Sequence, residues 1–260
     1  MKKIIFSDLD GTLLDHDTYS YKDAEKNLKI IKNLGIPLVF CTSKTRSEIE
    51  YWRDKMKNYH PFISENGGGI FIPENYFSFN FDYEKKIGRY YLIRLGEDYE
   101  KILECKNDII KRFDIRSFEE MTKEELASNV GIDEKQAVLA KRRDFDLPFY
   151  IFNKNQIEKI RDKAKEHGLK MVSGGRFFHL MGENDKGKAV QILTDLYKKK
   201  YDRIATIGIG DSENDFSMLE NVDKGYLVKR KDGTHASMNY LTVDKVGPRG
   251  WSEIIEKELR

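Results

Sequence analysis

Short apolar runs, each stopped by polar residues and followed by an amphipathic stretch, open this chain, and few folds accommodate that alternation. Lys3-Ile4-Ile5-Phe6-Ser7 stops at Asp8. Residues 22–34 then carry Ala24, Leu28, Ile31 and Leu34 on one helical stripe, and Gly35 ends it as a left-handed cap would. Ile36-Pro37-Leu38-Val39-Phe40 is the next apolar run, and residues 46–57 have a helical pattern. Phe62-Ile63 and Gly69-Ile70-Phe71-Ile72 read as short strands around the turn Asn66-Gly67-Gly68. Continuous apolar strands alternating with helices predict a parallel sheet covered on both faces by crossover helices.

The pattern changes from about Phe77 and returns after Gly182. Between them, Tyr90–Leu95 reads as an amphipathic or edge strand and Tyr99–Phe113 as a helix. Two short helices follow near 123–128 and 134–141, then a strand over Phe149–Phe152 and a helix over 156–167. Strands over 169–172 and 176–180 are joined by Ser173-Gly174-Gly175. Tight turns between short strands predict an antiparallel sheet with helices on one face, inserted as a second domain. The first pattern then resumes with a helix over 186–198, strands over 204–209 and 225–228, and a helix over 251–259.

Composition narrows the class. The 260 residues fit one or two domains. Lys+Arg is 46 against 44 for Asp+Glu, a formal charge of +2, which excludes a chain built as a whole for nucleic acid or a membrane surface. Charged residues make up 35%, and the mean hydropathy is −0.65. The surface is therefore heavily ionic, as solubility or heat stability would each require. No apolar run approaches the ~18 residues of a membrane span. The N-terminus turns acidic too early for a signal peptide. Cys41 and Cys105 make no disulfide framework and no CxxC pair, so a reducing cytoplasm is expected.

Four polar clusters sit at or just after predicted strand ends, where open parallel sheets bind ligands. Asp8-Leu9-Asp10-Gly11-Thr12 offers two carboxylates at i and i+2, one placed as a nucleophile and the other as an acid and base; the alternative is an acidic turn. Cys41-Thr42-Ser43-Lys44-Thr45-Arg46 brings hydroxyls to a helix start, either a phosphate cradle or a Ser/Thr cap before Glu48. Asp185-Lys186-Gly187-Lys188 puts an ammonium at a helix start, unfavourable for the helix dipole unless it meets a carboxylate or phosphate; the alternative is a solvated lysine. Gly208-Ile209-Gly210-Asp211-Ser212-Glu213-Asn214-Asp215 crowds acids that a hard cation such as Mg²⁺ would relieve; the alternative is a capping loop.

In this order the four clusters resemble the haloacid dehalogenase superfamily, and the long insertion resembles the cap of its IIB, or Cof-type, branch. Thr42-Ser43-Lys44-Thr45-Arg46, Ser64-Glu65-Asn66-Gly67-Gly68, and Arg176-Phe177-Phe178-His179 ahead of Asp185-Lys186-Gly187-Lys188 resemble the mannosyl-3-phosphoglycerate phosphatases. The resemblance implies an α/β protein. Its Rossmann-like parallel-sheet core would comprise 1–82 and 184–260, and 83–183 would form an inserted α+β cap, with hinges near 82–86 and 181–185.

By that resemblance Asp8 would attack phosphorus, and Asp10 would protonate the leaving group and then activate water. Thr42 would bond the phosphoryl oxygens and Lys186 would neutralise charge. Mg²⁺ would be held by Asp8, the Asp10 carbonyl and Asp211, with Asn214 and Asp215 in support. Ser43, Lys44, Arg46, Glu65, Asn66 and Gly67 would touch phosphate or sugar, and Arg143 and Arg176 a substrate carboxylate. His179, in an apolar run, reads as a packing residue. The implied partner is a small phosphorylated glycosyl-glycerate. One stretch departs from the family's Arg-Glu-Tyr/Phe-Ser-Glu-Pro pattern, reading Arg143-Asp144-Phe145-Asp146-Leu147-Pro148. That leaves room for another sugar phosphate, such as sucrose phosphate, and for a phosphomutase.

Overall fold

The computed structural model describes residues 1–173 and 177–260. The chain opens with β1 (Lys2–Ser7), α1 (Glu25–Asn33), β2 (Leu38–Cys41), α2 (Arg46–Met56), β3 (Phe62–Ser64) and β4 (Gly69–Pro73). A hairpin follows, β5 (Lys85–Ile87) and β6 (Tyr90–Arg94), then α3 (Tyr99–Ile109), β7 (Ile115–Ser117), α4 (Lys123–Val130) and α5 (Glu134–Ala140). Next come β8 (Asp146–Ile151), α6 (Ile157–Glu166), β9 (Lys170–Ser173) and β10 (Phe178–Met181). The chain closes with α7 (Lys186–Lys200), β11 (Ile204–Gly210), α8 (Phe216–Glu220), β12 (Lys224–Lys229), β13 (Leu241–Val246) and α9 (Gly247–Leu259).

Two sheets result. The larger runs β13-β12-β11-β1-β2-β3-β4-β6-β5, parallel from β13 to β3 and antiparallel beyond. β1 explains its own continuous hydrophobicity. Ile5 packs on one face with Phe40, Trp52 and Trp251, while Ile4 and Phe6 pack on the other with Val39, Leu193 and Tyr197. A central strand covered on both faces needs apolar residues at every position.

The second sheet is antiparallel, β7-β8-β10-β9. Leu147, Phe149 and Leu180 pack against Ile102 and Ile109 of α3 and Ile160 of α6. Helices α4 and α5 pack together away from that core, and α5 reaches α2 of the first unit.

The large sheet runs past residue 83, where the insertion is expected to begin. β5 and β6 extend it, with Leu92 opposite Phe71 and Tyr90 opposite Pro73. The reason is aromatic packing: Phe62 stacks on Phe71 at 5.0 Å, and the Tyr90 ring meets Phe62 edge-on at 5.3 Å. Elements of the second sheet and its helices therefore lie between Tyr99 and Met181. Strand β13 is absent from the sequence reading; it is a polar edge strand with only Val243 buried.

Candidate active site

The parallel strands end at one edge, and the four polar clusters meet there. Asp8 leaves β1 with its N–H donated to the Ile209 carbonyl (2.9 Å), which ties it to the end of β11. Gly11 turns the chain with φ +73°, and a Cβ there would come within 2.8 Å of Asp211 Oδ2. Glycine is thus needed for both conformation and space. Thr12 donates its hydroxyl to Asp211 Oδ1 (3.1 Å).

Lys186, the first residue of α7, is fully buried. Its Nζ donates to Asp8 Oδ1 (2.8 Å) and Asp215 Oδ1 (2.6 Å). Asp185 caps the helix by accepting from the Lys188 N–H (2.8 Å). A buried ammonium persists only when paired, so the solvated-lysine alternative is set aside. Asp215 Oδ2 accepts from the N–H groups of Asp211 (3.0 Å) and Ser212 (3.1 Å). Both Asp215 oxygens are thereby engaged, which leaves it holding Lys186 and the 211–212 backbone.

Carboxylate oxygens of Asp8, Asp211 and Asp215 lie within 4.8 Å of one another. Burial pushes Asp8 up to about 7, with Lys186 opposing and Asp215 and Asp10 adding to the rise. Burial and the neighbouring Asp215 and Asp8 hold Asp211 well above the usual carboxylate range. Crowded acids of this kind ionise fully when a cation joins them. Asp10 Oδ1 is buried with no hydrogen-bond partner, another oxygen with capacity to spare. The donor set is all oxygen, so the residues fit a hard divalent cation, which Asp8, Asp211 and the Asp10 carbonyl would hold.

Asp8, Asp10 and Asp211 line a cavity of about 720 Å³ to which the second unit contributes Phe118, Pro148, Phe177 and His179. The other expected residues divide. Ser43, Lys44 and Arg143 line the cavity. Lys44 Nζ is 3.0 Å from Asp10 Oδ2 and 3.3 Å from Glu48 Oε1. It is already neutralised, and it fixes Asp10. Thr42 is fully buried at the end of β2, off the cavity wall, with the Lys44 N–H 3.4 Å from its hydroxyl. Thr45 and Glu48 form a reciprocal cap on α2, so the capping alternative holds at Thr45. Arg46 pairs with Glu50 (3.3 Å), lies over the Phe71 ring, and does not reach the cavity wall. Asn214 sits on the wall and donates to Asn66 Oδ1 (3.1 Å).

Glu65, Asn66 and Gly67 are buried at the joint between the two units. Glu65 accepts from the backbone N–H groups of Asp144 (3.0 Å), Phe145 (2.8 Å) and Asp146 (3.0 Å). Burial pushes its carboxyl up to about 8, against the pull of Arg143. Asn66 donates to Asp146 Oδ2 (3.0 Å). At Gly67, with φ +88°, a Cβ would lie 2.1 Å from the Asp185 carbonyl oxygen. Arg143 donates to the Ser43 carbonyl (2.6 Å), pairs with Asp146, and lies 3.6 Å from Glu65. Its charge already meets two carboxylates, so in this arrangement it fastens one unit to the other. Arg176 lies outside the described residues.

Sequence reasoning read His179 as a packing residue and passed over Arg230; both line the cavity. Arg230, at the end of β12, donates to the Asp211 carbonyl (2.9 Å) and to Glu213 (2.6 Å). It was legible only as one more residue past a strand. The alternation of β10 would have placed His179, because its neighbours Phe178 and Leu180 both face the α3–α6 core.

Known proteins resemble this chain along most of its length. A family model for haloacid dehalogenase-like hydrolases matches residues 5–244. A glucosyl-3-phosphoglycerate/mannosyl-3-phosphoglycerate phosphatase of Methanococcoides burtonii is 44% identical over 98% of this chain and 96% of its own. A mannosyl-3-phosphoglycerate phosphatase of Pyrococcus horikoshii is 36% identical over 88% of this chain and 91% of its own. A solved Thermoplasma acidophilum structure shares the fold with a TM-score of 0.73 at 20% identity, covering 100% of both chains. A solved subclass IIB sugar phosphatase shares it with a TM-score of 0.68 at 16% identity, covering 99% of each.

Proposed function

Because this chain belongs to the haloacid dehalogenase-like hydrolase family, we propose that it removes the phosphate from mannosyl-3-phosphoglycerate and its glucosyl counterpart, the substrates for which its relatives are named. The observation that carries the chemistry is the fully buried Lys186 shared by Asp8 and Asp215, directly behind the cavity that Asp8, Asp10 and Asp211 line.

Asp8 attacks phosphorus in line, and the bond to the sugar-bearing alkoxide breaks as the aspartyl-phosphate forms. Asp10, on the cavity wall and held by Lys44, gives the alkoxide its proton. It then takes a proton from the water that attacks the phosphoryl group, returning Asp8 and releasing phosphate. Lys186 balances the negative charge that Asp8 and the phosphoryl oxygens share. Mg²⁺ is the cation we assign to Asp8, Asp211 and the Asp10 carbonyl; once bound it would offset charge on the phosphoryl group. The unit between Tyr99 and Met181 supplies the far wall, and we assign it the choice of substrate. Two buried thiols, Cys41 and Cys105, are free, which suits a reducing cytoplasm.

A second reading stays open because Asp146 occupies Arg143. If no charge is left there for a glycerate carboxylate, another phosphorylated sugar would be preferred. Phosphate release with Mg²⁺ from mannosyl- and glucosyl-3-phosphoglycerate, beside a panel of sugar phosphates, separates the two. We expect kcat/KM for a glycosyl-phosphoglycerate to lead by ~100-fold, or ~2.7 kcal/mol of transition-state binding. A lead by a plain sugar phosphate would overturn the substrate assignment.

A further inference from the structure

His179 is a polar side chain on the far wall of the cavity that the chemistry above does not use. Phe178 and Leu180 turn toward the α3–α6 core, so the strand's alternation sends His179 to the other face, opposite Pro148 in register. Both residues line the cavity. The ring is held in place: Nδ1 lies 3.0 Å from Asp146 Oδ2. A carboxylate only accepts, so Nδ1 carries a hydrogen and donates it, and Nε2 is left facing the cavity.

Asp146 is itself fixed. It is completely buried, pairs with Arg143, and accepts from Asn66 Nδ2 at 3.0 Å. Burial raises its carboxyl, but Arg143 and His179 together outweigh this and hold it below the usual range. No protein group among the described residues bonds His179 Nε2, and that atom is not sealed from the cavity. A ring locked through one nitrogen, with the other turned to the cavity, is built to read a ligand.

We propose that His179 Nε2 hydrogen-bonds a hydroxyl of the substrate's sugar, making His179 a specificity-determining residue, with Asp146 the positioning residue behind it. The phosphate end of the cavity belongs to Asp8, Asp10 and Asp211 on the first unit, so the second unit's wall faces the rest of the molecule. A sugar hydroxyl both donates and accepts, so it pairs with Nε2 whether or not that nitrogen carries a hydrogen. The inference rests on the phosphatase reading and adds to it the group that distinguishes a glycosyl ester from a bare phosphoglycerate.

The test compares mannosyl- and glucosyl-3-phosphoglycerate with 3-phosphoglycerate, which lacks the sugar and serves as substrate or competitive inhibitor. His179→Asn keeps a short amide toward Asp146 and withdraws the cavity atom. It should lower kcat/KM about tenfold on the glycosyl substrates, mostly through KM. The constant for 3-phosphoglycerate should stay within about twofold. Asp146→Asn should lose the same discrimination, and His179→Gln, whose amide reaches further, should recover part of it. Equal losses with and without the sugar, or no loss, would overturn the proposal. Should His179→Asn fail to fold, single-deoxy sugar analogues on the unaltered enzyme decide instead. One analogue should lose about tenfold, and a flat series overturns the inference. Failure of the unaltered enzyme on both glycosyl substrates would instead contradict the function on which the inference rests.

Discussion

Lys186 Nζ sits 2.8 Å from Asp8 Oδ1 with no exposure to solvent, joining a residue at the end of β1 to the first residue of α7. Burial opposes its charge, but Asp215 and Asp8 together outweigh this and hold the ammonium protonated. The helix start accepts an adverse cation because the cation's partners lie outside the helix.

Lys186→Ala removes the ammonium bonded to both Asp8 and Asp215. Breaking a buried pair costs about 3–5 kcal/mol of stability, and losing the charge at the phosphoryl site should cost at least ~10³ in kcat/KM. Urea unfolding and initial rates check the two effects separately. A variant with near-normal rates would count against the assigned role.

Metal binding should register without turnover. A divalent cation that binds only the folded chain stabilises it by ~2.7 kcal/mol at a hundredfold excess over Kd. Mg²⁺ should therefore raise the melting temperature of the chelator-treated protein, and Asp211→Asn should abolish most of that rise. An equal rise in the variant would place the cation elsewhere.

Acid should weaken the fold through a group far from this chemistry. Burial, and then the nearby Arg53 and Lys200, push His60 down to about 4, while its Nδ1 stays 2.7 Å from the Tyr76 hydroxyl. The folded chain therefore binds this proton less readily than the unfolded one. Stability is full above pH ~6.5 and falls as pH drops toward 4, by about 3 kcal/mol at most. Denaturant unfolding at pH 7 and 4.5, in the native chain and in His60→Gln, measures it. An unchanged pH dependence in the variant would assign the acid sensitivity to other groups.

The chemistry at the sheet edge was legible because its signals are local. Asp8, Asp10 and Asp211 each stand where an apolar run stops, and Lys186 is conspicuous as a cation at a helix start. The joint was not legible, because it depends on partners about 80 residues apart. Nothing near Glu65 announces that its carboxylate will accept the N–H groups of residues 144–146, nor does the basic run 141–143 reveal that Arg143 will be buried against it. The hairpin of β5 and β6 joined the large sheet because Tyr90 packs on Phe62 and Phe71, a pairing that no single strand's pattern encodes.

Trapping the covalent intermediate tests the central claim most directly. Enzyme mixed with mannosyl-3-phosphoglycerate and Mg²⁺ would be quenched in acid within one turnover and reduced with borohydride, which converts an aspartyl-phosphate to homoserine. The account predicts homoserine at position 8 and at no other aspartate. Unmodified Asp8 with the label on another residue, or no covalent phosphate during active turnover, would contradict it.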